Sequence, residues 1–191
     1  MTSTIDLYWI PLGAGGTGFV RMNGRIYEWI VSRAHRRRPL DLYHTAMRVH
    51  VPEATFVVET MWPSPPGDPT ERGVAAVGPV FARALGHTRT FRYEVRCWKD
   101  GALPDADQAI GGPKSVSDDV DTAREVISLV PSVPAHTWGR DPVDAGDMWN
   151  SNSVLSWLLT RAGLPMTKIE PPDGGRAPGW DAGIAVAQSA G

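Results

Sequence analysis

A serine at the start of a helix is the residue of this sequence best suited to nucleophilic chemistry. Ser151 lies in "MWNSNSVLSWLL", residues 148–159, ahead of Val154, Leu155 and Leu158, which have the spacing of one buried helix stripe. Ser151 shares that stripe. The free amides and partial positive charge of a helix N-terminus stabilise an alkoxide or an oxyanion. The segment therefore predicts a nucleophile facing the core or a cleft.

The same segment also has a purely structural interpretation. Four consecutive residues are favourable helix caps, namely Asn150, Ser151, Asn152 and Ser153, and capping alone accounts for one or two of them. Asn150 and Asn152 are accordingly supporting residues of the candidate site. Asp147 is expected to be a carboxylate of the helix start, and orienting a histidine is its alternative role.

A strand histidine is the candidate general base. In "LYHTAMRVHV" the alternation places His44, Ala46, Arg48 and His50 on one face. His44 would take the proton of Ser151 and return it to the leaving group. His50 cannot orient His44, because six residues at about 3.3 Å each separate them by roughly 20 Å. His136, in a proline-flanked loop, is the alternative base.

The neighbours of His44 depend on the register of a hairpin. A second strand-like run follows, and the two runs are joined near residues 52–54. A turn centred near Glu53 places Trp62 opposite His44, where it would wall the site, and Glu59 on the other face. A slip of one residue reverses these faces and makes Glu59 the candidate orienting carboxylate.

The two segments together resemble the circularly permuted papain-like families. These are the lecithin retinol acyltransferase-like group, the PPPDE deubiquitinating peptidases and their bacterial relatives of the permuted NlpC type. In them a strand histidine, in a "YHT" or "HW" setting, precedes a helix that begins with "NC" and a polar residue or two. Here "YHTAMRVHV" and "NSNSVLSWLL" follow in that order, with Ser151 107 positions after His44. The resemblance implies a papain-like fold and acyl-transfer chemistry.

Ser151 departs from the pattern of these families, which have a cysteine at this position. A thiol supplies some thiolate at neutral pH, whereas a serine hydroxyl needs a well-oriented base and an oxyanion hole. Three explanations stay open: a natural serine enzyme, a pseudoenzyme that keeps the fold for binding, or a deliberate replacement of cysteine.

These residues require an α+β fold to position them. We predict a single papain-like domain over residues 1–191, with an antiparallel sheet of about five or six strands. A first helix is expected near residues 118–130, and the nucleophile helix at 151–162 is expected to pack on the sheet. From about residue 170 we expect an irregular tail that ends in an edge strand.

The glycines near the N-terminus do not predict a cofactor site. Gly13, Gly15 and Gly18 have GxGxxG spacing, but the following residues alternate around Asn23-Gly24, which predicts a hairpin and not the helix of a dinucleotide fold. No spacing of His, Cys, Asp or Glu is typical of a zinc or calcium site. We therefore expect neither cofactor nor metal.

Composition narrows the class of partner. Nineteen basic and 21 acidic residues leave a formal charge of -2, which argues against nucleic acid. No apolar run is long enough to span a membrane, and the first residues lack a signal-peptide pattern, so we expect a cytoplasmic protein. The lone Cys97 is expected in the core. Sixteen arginines against three lysines are typical of a high-GC bacterial genome.

The functional hypothesis is acyl transfer at an amide, ester or thioester, with Ser151 as nucleophile and His44 as base. The partner would be a small-molecule or acyl substrate, for which eight tryptophans could build an apolar pocket. The alternative is a catalytically silent papain-like binding module for a small molecule or peptide. The enzyme requires a hydrogen bond between His44 and Ser151 in an open cleft, whereas the binding module tolerates any small residue at position 151. A closed surface around Ser151 would favour a third class, a structural or interaction domain.

Overall fold

A six-stranded antiparallel sheet is the frame of the described part of the protein. The structure, a computed structural model, describes residues 4–12, 40–63, 73–103 and 105–189. The strands lie in the order β4-β5-β3-β2-β1-β6. Their bounds are β1 Thr4–Pro11, β2 Tyr43–Val51, β3 Ala54–Met61, β4 Val74–Pro79, β5 Arg92–Lys99 and β6 Lys114–Ser117. This architecture confirms the predicted α+β class.

Three helices complete the described fold: α1 Val120–Leu129, α2 Ser151–Arg161 and α3 Trp180–Ser189. The sequence predicts α1 and α2 to within about two residues, because each begins at a clear cap. The Asp119 side chain accepts a hydrogen bond from the Thr122 amide at the start of α1. The expected edge strand in the tail is wrong, since that segment forms α3.

The β2–β3 hairpin settles the register between the two alternatives. Val51 pairs with Ala54, so the turn consists of Pro52 and Glu53, and Met47 lies opposite Val58. This two-residue turn shifts the pairing of β3 with β2 by one residue, relative to the pairing that a turn centred on Glu53 would give. Glu59 therefore lies on the same face of the sheet as His44.

The two faces of the sheet have different covers. The helix face, defined by Trp9, Tyr43, Thr45, Met47 and Val95, packs against the helices. The loop face, defined by Ile10, His44, Ala46, Val57 and Glu59, packs against the segment after β5 through Leu103 and the partly buried Ala106 and Ala109. Side chains alternate between these faces along each strand.

Helix α2 is buried on almost every side. All its residues from Asn152 to Leu159 are buried, because the sheet covers one side and α3 another. At Gly183 of α3, an added Cβ would lie 2.1 Å from the Ser153 carbonyl oxygen and from Ser156 Oγ. The two helices thus meet with backbone against backbone, which only glycine permits at this point.

Several expectations fall outside the described residues. The glycine-rich segment with Gly13, Gly15 and Gly18, and the predicted hairpin around Asn23-Gly24, lie there. Within the described ranges, no helix combines the length and apolar character that crossing a membrane requires.

Candidate functional site

The start of α2 is closed by a complete capping box. Asn150 Oδ1 accepts hydrogen bonds from the amides of Asn152 at 2.8 Å and Ser153 at 3.4 Å, and the Asn150 amide donates to Ser153 Oγ at 2.9 Å. The Ser151 amide is left without a partner among the described residues. The expected oxyanion hole at this helix start is therefore reduced to one backbone donor.

Asn152, and not Ser151, is the residue of this helix start that faces the sheet. Its side-chain amide donates to the carbonyls of Tyr43 at 3.0 Å and Pro178 at 2.8 Å, while its Oδ1 accepts from Thr45 Oγ1 at 3.0 Å. Ser151 is half-buried, and its Oγ forms no hydrogen bond within the described part of the chain. The predicted stripe of Val154, Leu155 and Leu158 is buried, whereas Ser151 at its start is only half-buried.

His44 lies across the sheet from Ser151. Thr45 points to α2 on the helix face, so His44, one residue earlier, points to the loop face, where its strand partner is Ile10. His44 forms no hydrogen bond with any described residue. The predicted contact of His44 with Ser151 is therefore absent. The side chains of β2 alternate as predicted, but α2 packs on the face of the sheet opposite to His44.

Glu59 and His44 share a poorly compensated electrostatic environment on the loop face. Burial raises the pKa of Glu59 to about 7; the charge of Arg96 lowers this pKa and the charge of Asp105 raises it. Burial lowers the pKa of His44, and Asp105 opposes that shift. The Glu59 carboxyl accepts no hydrogen bond from the described residues. Glu59 thus joins His44, as the slipped register predicted, but it does not orient the ring by a hydrogen bond.

A neighbouring carboxylate on the same face is fully compensated. Glu94 accepts hydrogen bonds from Arg92 at 2.8 Å and from two nitrogens of Arg96 at 2.8 and 3.2 Å. Burial pushes the pKa of Glu94 up, but the bonds from Arg96 and Arg92 outweigh it and hold that pKa below its usual range. This ion-pair network explains how charged residues of β5 are buried. No cluster of His, Cys, Asp or Glu in the described ranges could hold a metal ion.

Exposed aromatic side chains converge on a cleft. The aromatic cleft has a volume of about 460 Å³, and the residues that line it are Trp62, Val80, Phe81, Trp138, Gly139 and Arg140. Trp62 is 56% exposed and Phe81 is 68% exposed. The rings of Trp62 and Trp138 lie 6.1 Å apart between centroids, and Trp138 contacts Tyr93 at 5.4 Å. Trp62 was expected to wall the site of His44, but the register is shifted by one residue and Trp62 lines a cleft with Trp138 instead.

Backbone hydrogen bonds hold this cleft beside the start of α2. The Trp138 amide donates to the Pro79 carbonyl at 2.9 Å, which joins the cleft to the end of β4. The Gly139 amide donates to the Trp149 carbonyl, and the Trp149 amide donates to the Arg140 carbonyl, both at 2.8 Å. The wall of the cleft is thus bonded to a residue that lies two positions before Ser151.

His136 lies near this junction, whereas Asp147 has a structural role. The His136 ring contacts the ring of Trp149 edge-on at 4.9 Å, and burial lowers its pKa. Asp147 accepts hydrogen bonds from the amides of Gly179 at 2.7 Å and Met148 at 2.9 Å. Asp147 therefore ties the start of α3 to the segment before α2, and it contacts no histidine among the described residues.

Cys97 is a packing residue, as predicted. It lies on the helix face of β5 and is partly buried against the core, and this burial raises its pKa to about 11.

Sequence reasoning missed Phe81, Trp138, Arg140 and Asp105. The tryptophan count was the available signal for the cleft. Compared with protein-family models, curated proteins and solved structures, the chain gives no match, so the case for function rests on this geometry.

Proposed function

We propose that this chain is a non-catalytic binding domain that takes a small apolar ligand into the aromatic cleft. The observation that carries the proposal is the convergence of Trp62, Phe81 and Trp138 on a cleft of about 460 Å³, a volume within the range of small-molecule sites. Large aromatic side chains are costly to leave in water and gain most when a ligand covers them. In this proposal the chain has a papain-like fold and keeps its helix, but Ser151 does not act as a nucleophile.

Two features of the Ser151 environment favour binding over catalysis. A serine hydroxyl must be activated by an adjacent base, and His44 points to the opposite face of the sheet. Each donor of an oxyanion hole contributes about a hundredfold or more in rate, and Asn150 and Ser153 already satisfy three of the amides at this helix start. The binding module that tolerates any small residue at position 151 fits both features.

Acyl transfer by Ser151 is the second candidate, now with His136 as the base. One observation favours it: Ser151 Oγ and the Ser151 amide are both unpaired within the described residues, close in sequence to Trp149, which the His136 ring contacts. Burial holds the pKa of His136 below its usual value, so the imidazole is neutral at pH 7 and can accept a proton.

The binding proposal is tested with cinnamamide, a neutral and flat aromatic ligand, in a ligand-detected NMR titration. We expect binding that is lost in Trp62→Ala and Trp138→Ala. Ile110→Ala is the matched control, because Ile110 is an exposed apolar residue that does not line the cleft. Absence of binding to the unaltered protein, or equal loss in the control, contradicts the proposal.

Intact-protein mass after exposure to a fluorophosphonate separates the two candidates. The binding domain forms no adduct. A single adduct that is lost in Ser151→Ala and in His136→Ala, but kept in His44→Ala, would establish the second candidate instead. Circular dichroism of each variant shows that the fold is kept.

A further inference from the structure

We propose that the aromatic cleft selects flat apolar ligands that carry one carboxylate, and that Arg140 binds the carboxylate. The inference rests on the proposed function, because it adds a specificity to the same cleft. The six lining residues include five uncharged ones and a single guanidinium. A ligand that matches this lining is mostly apolar and has one negative charge.

No residue in the described ranges forms an ion pair with Arg140. Arg140 is exposed. The adjacent acid, Asp141, is engaged elsewhere: its carboxylate accepts hydrogen bonds from the amides of Val143 at 3.3 Å, Ala145 at 2.9 Å and Gly146 at 2.7 Å. The donors of the Arg140 side chain therefore stay available to a ligand.

Several other arginines in the described ranges have ion-pair partners. Arg92 and Arg96 bind Glu94, and Arg124 binds Glu53. Arg140 differs from these three in having no counter-ion among the described residues, in a cleft whose other lining residues are uncharged. A guanidinium in this setting recognises a carboxylate through two parallel hydrogen bonds.

The backbone of Arg140 is fixed at the wall of the cleft. Its amide donates to the Thr137 carbonyl at 3.1 Å, and its carbonyl accepts from the Trp149 amide at 2.8 Å. Gly139 precedes it with φ +79°, a conformation that glycine adopts without strain. The backbone of Arg140 is therefore fixed two residues after Trp138. In this proposal an aromatic carboxylate contacts the indole with its ring and the guanidinium with its oxygens.

A phosphate monoester carries two negative charges, of which the single cation in this lining would compensate only one. A carboxylate carries one negative charge, which the same cation compensates fully. The same comparison disfavours cationic ligands, which Arg140 would repel. The ligand class is therefore an aromatic monocarboxylate.

The test compares cinnamate with cinnamamide, which has the same flat frame but no charge, by ligand-detected NMR titration. We expect cinnamate to bind the unaltered protein roughly tenfold more tightly than cinnamamide, the ratio typical of one charge-assisted pair near the surface. Arg140→Gln should abolish the preference for cinnamate over cinnamamide. Arg140→Lys should keep part of it.

Arg161→Gln is the matched control, because Arg161 is an exposed arginine at the end of α2. Equal affinities for the two ligands in the unaltered protein would overturn the inference and leave the proposed function standing. A preference that survives in Arg140→Gln would also overturn it. If neither ligand binds, the proposed function and this inference are both wrong.

Discussion

Replacing Glu59 by glutamine tests the electrostatics of the loop face. Glu59 is a half-buried carboxyl with no hydrogen bond from the described residues, and burial raises its pKa from 4.5 to about 7. Glutamine has nearly the same volume and cannot ionise. The substitution therefore removes the titration of this one group and leaves the packing close to unchanged.

The sign of the effect follows from the direction of the pKa shift. A carboxyl with a raised pKa in the folded state binds a proton more tightly there than in the unfolded chain, so stability falls as pH rises through the interval between the two values. For Glu59 that interval runs from 4.5 to about 7. At about 1.4 kcal/mol for each pKa unit, the full effect is about 3 kcal/mol, and most of it develops between pH 5 and pH 8.

The assay is urea unfolding of the original protein and of Glu59→Gln at four pH values from about 5 to 8. The free energy of unfolding of the variant, minus that of the original, should rise with pH by roughly 2–3 kcal/mol. This difference cancels the titration of His44 and other groups to first order. A difference that does not change with pH would refute the assignment of Glu59 as a carboxyl whose pKa is raised by burial.

Three further substitutions or reactions probe the helix contacts and the core. Gly183→Ala places a methyl group 2.1 Å from the Ser153 carbonyl oxygen, so overpacking should exceed the helix-propensity gain and lower the free energy of unfolding by roughly 1–2 kcal/mol; an unchanged urea midpoint would contradict the close helix contact. Asn152→Ala removes three hydrogen bonds and strands buried partners such as Thr45 Oγ1, which should cost about 2–4 kcal/mol in the same assay. Burial raises the pKa of Cys97 from 9.0 to about 11. Cys97 should therefore react with iodoacetamide at pH 8 about 100-fold more slowly in the folded protein than in urea, as measured by mass spectrometry. Equal rates of reaction would show that the thiol is not buried.

Local patterns predicted the elements that position the site. The β2–β3 hairpin follows from alternation on both sides of a short turn, and α2 follows from the polar caps ahead of an apolar run. The alternation also separated His44 from Thr45 correctly. The face that α2 covers depends on packing with the rest of the chain, and that packing placed His44 on the side away from Ser151.

The tail shows a different limit. The run "AGIAVA" is short and apolar, and periodicity alone does not separate a buried strand from a buried helix in such a run. Its small residues are the signal for the helix, since Gly183 allows α3 to approach the backbone of α2 closely. That signal gains meaning only once α2 is recognised as its partner.

The aromatic cleft had no periodic signal at all. Phe81, Trp138 and Arg140 come from irregular segments, and backbone bonds to the end of β4 and to Trp149 bring them together. On β5, Glu94 and Arg96 alternate with apolar residues, yet both are buried. Their opposite charges compensate each other, which allows both residues to be buried. The alternation along a single strand does not reveal such an ion pair.

The position of β1 between β2 and β6 has a consequence for how the chain folds during synthesis. β2 and β3 are joined by two residues and can pair early, whereas β6 at Lys114–Ser117 joins β1 at Thr4–Pro11 only after most of the first 117 residues have left the ribosome. Until then one edge of β1 offers unpaired backbone groups to other chains. Slow translation of residues 51–117 therefore prolongs the exposure of this edge, and the yield of soluble protein depends on how quickly a four-residue strand arrives to cover it.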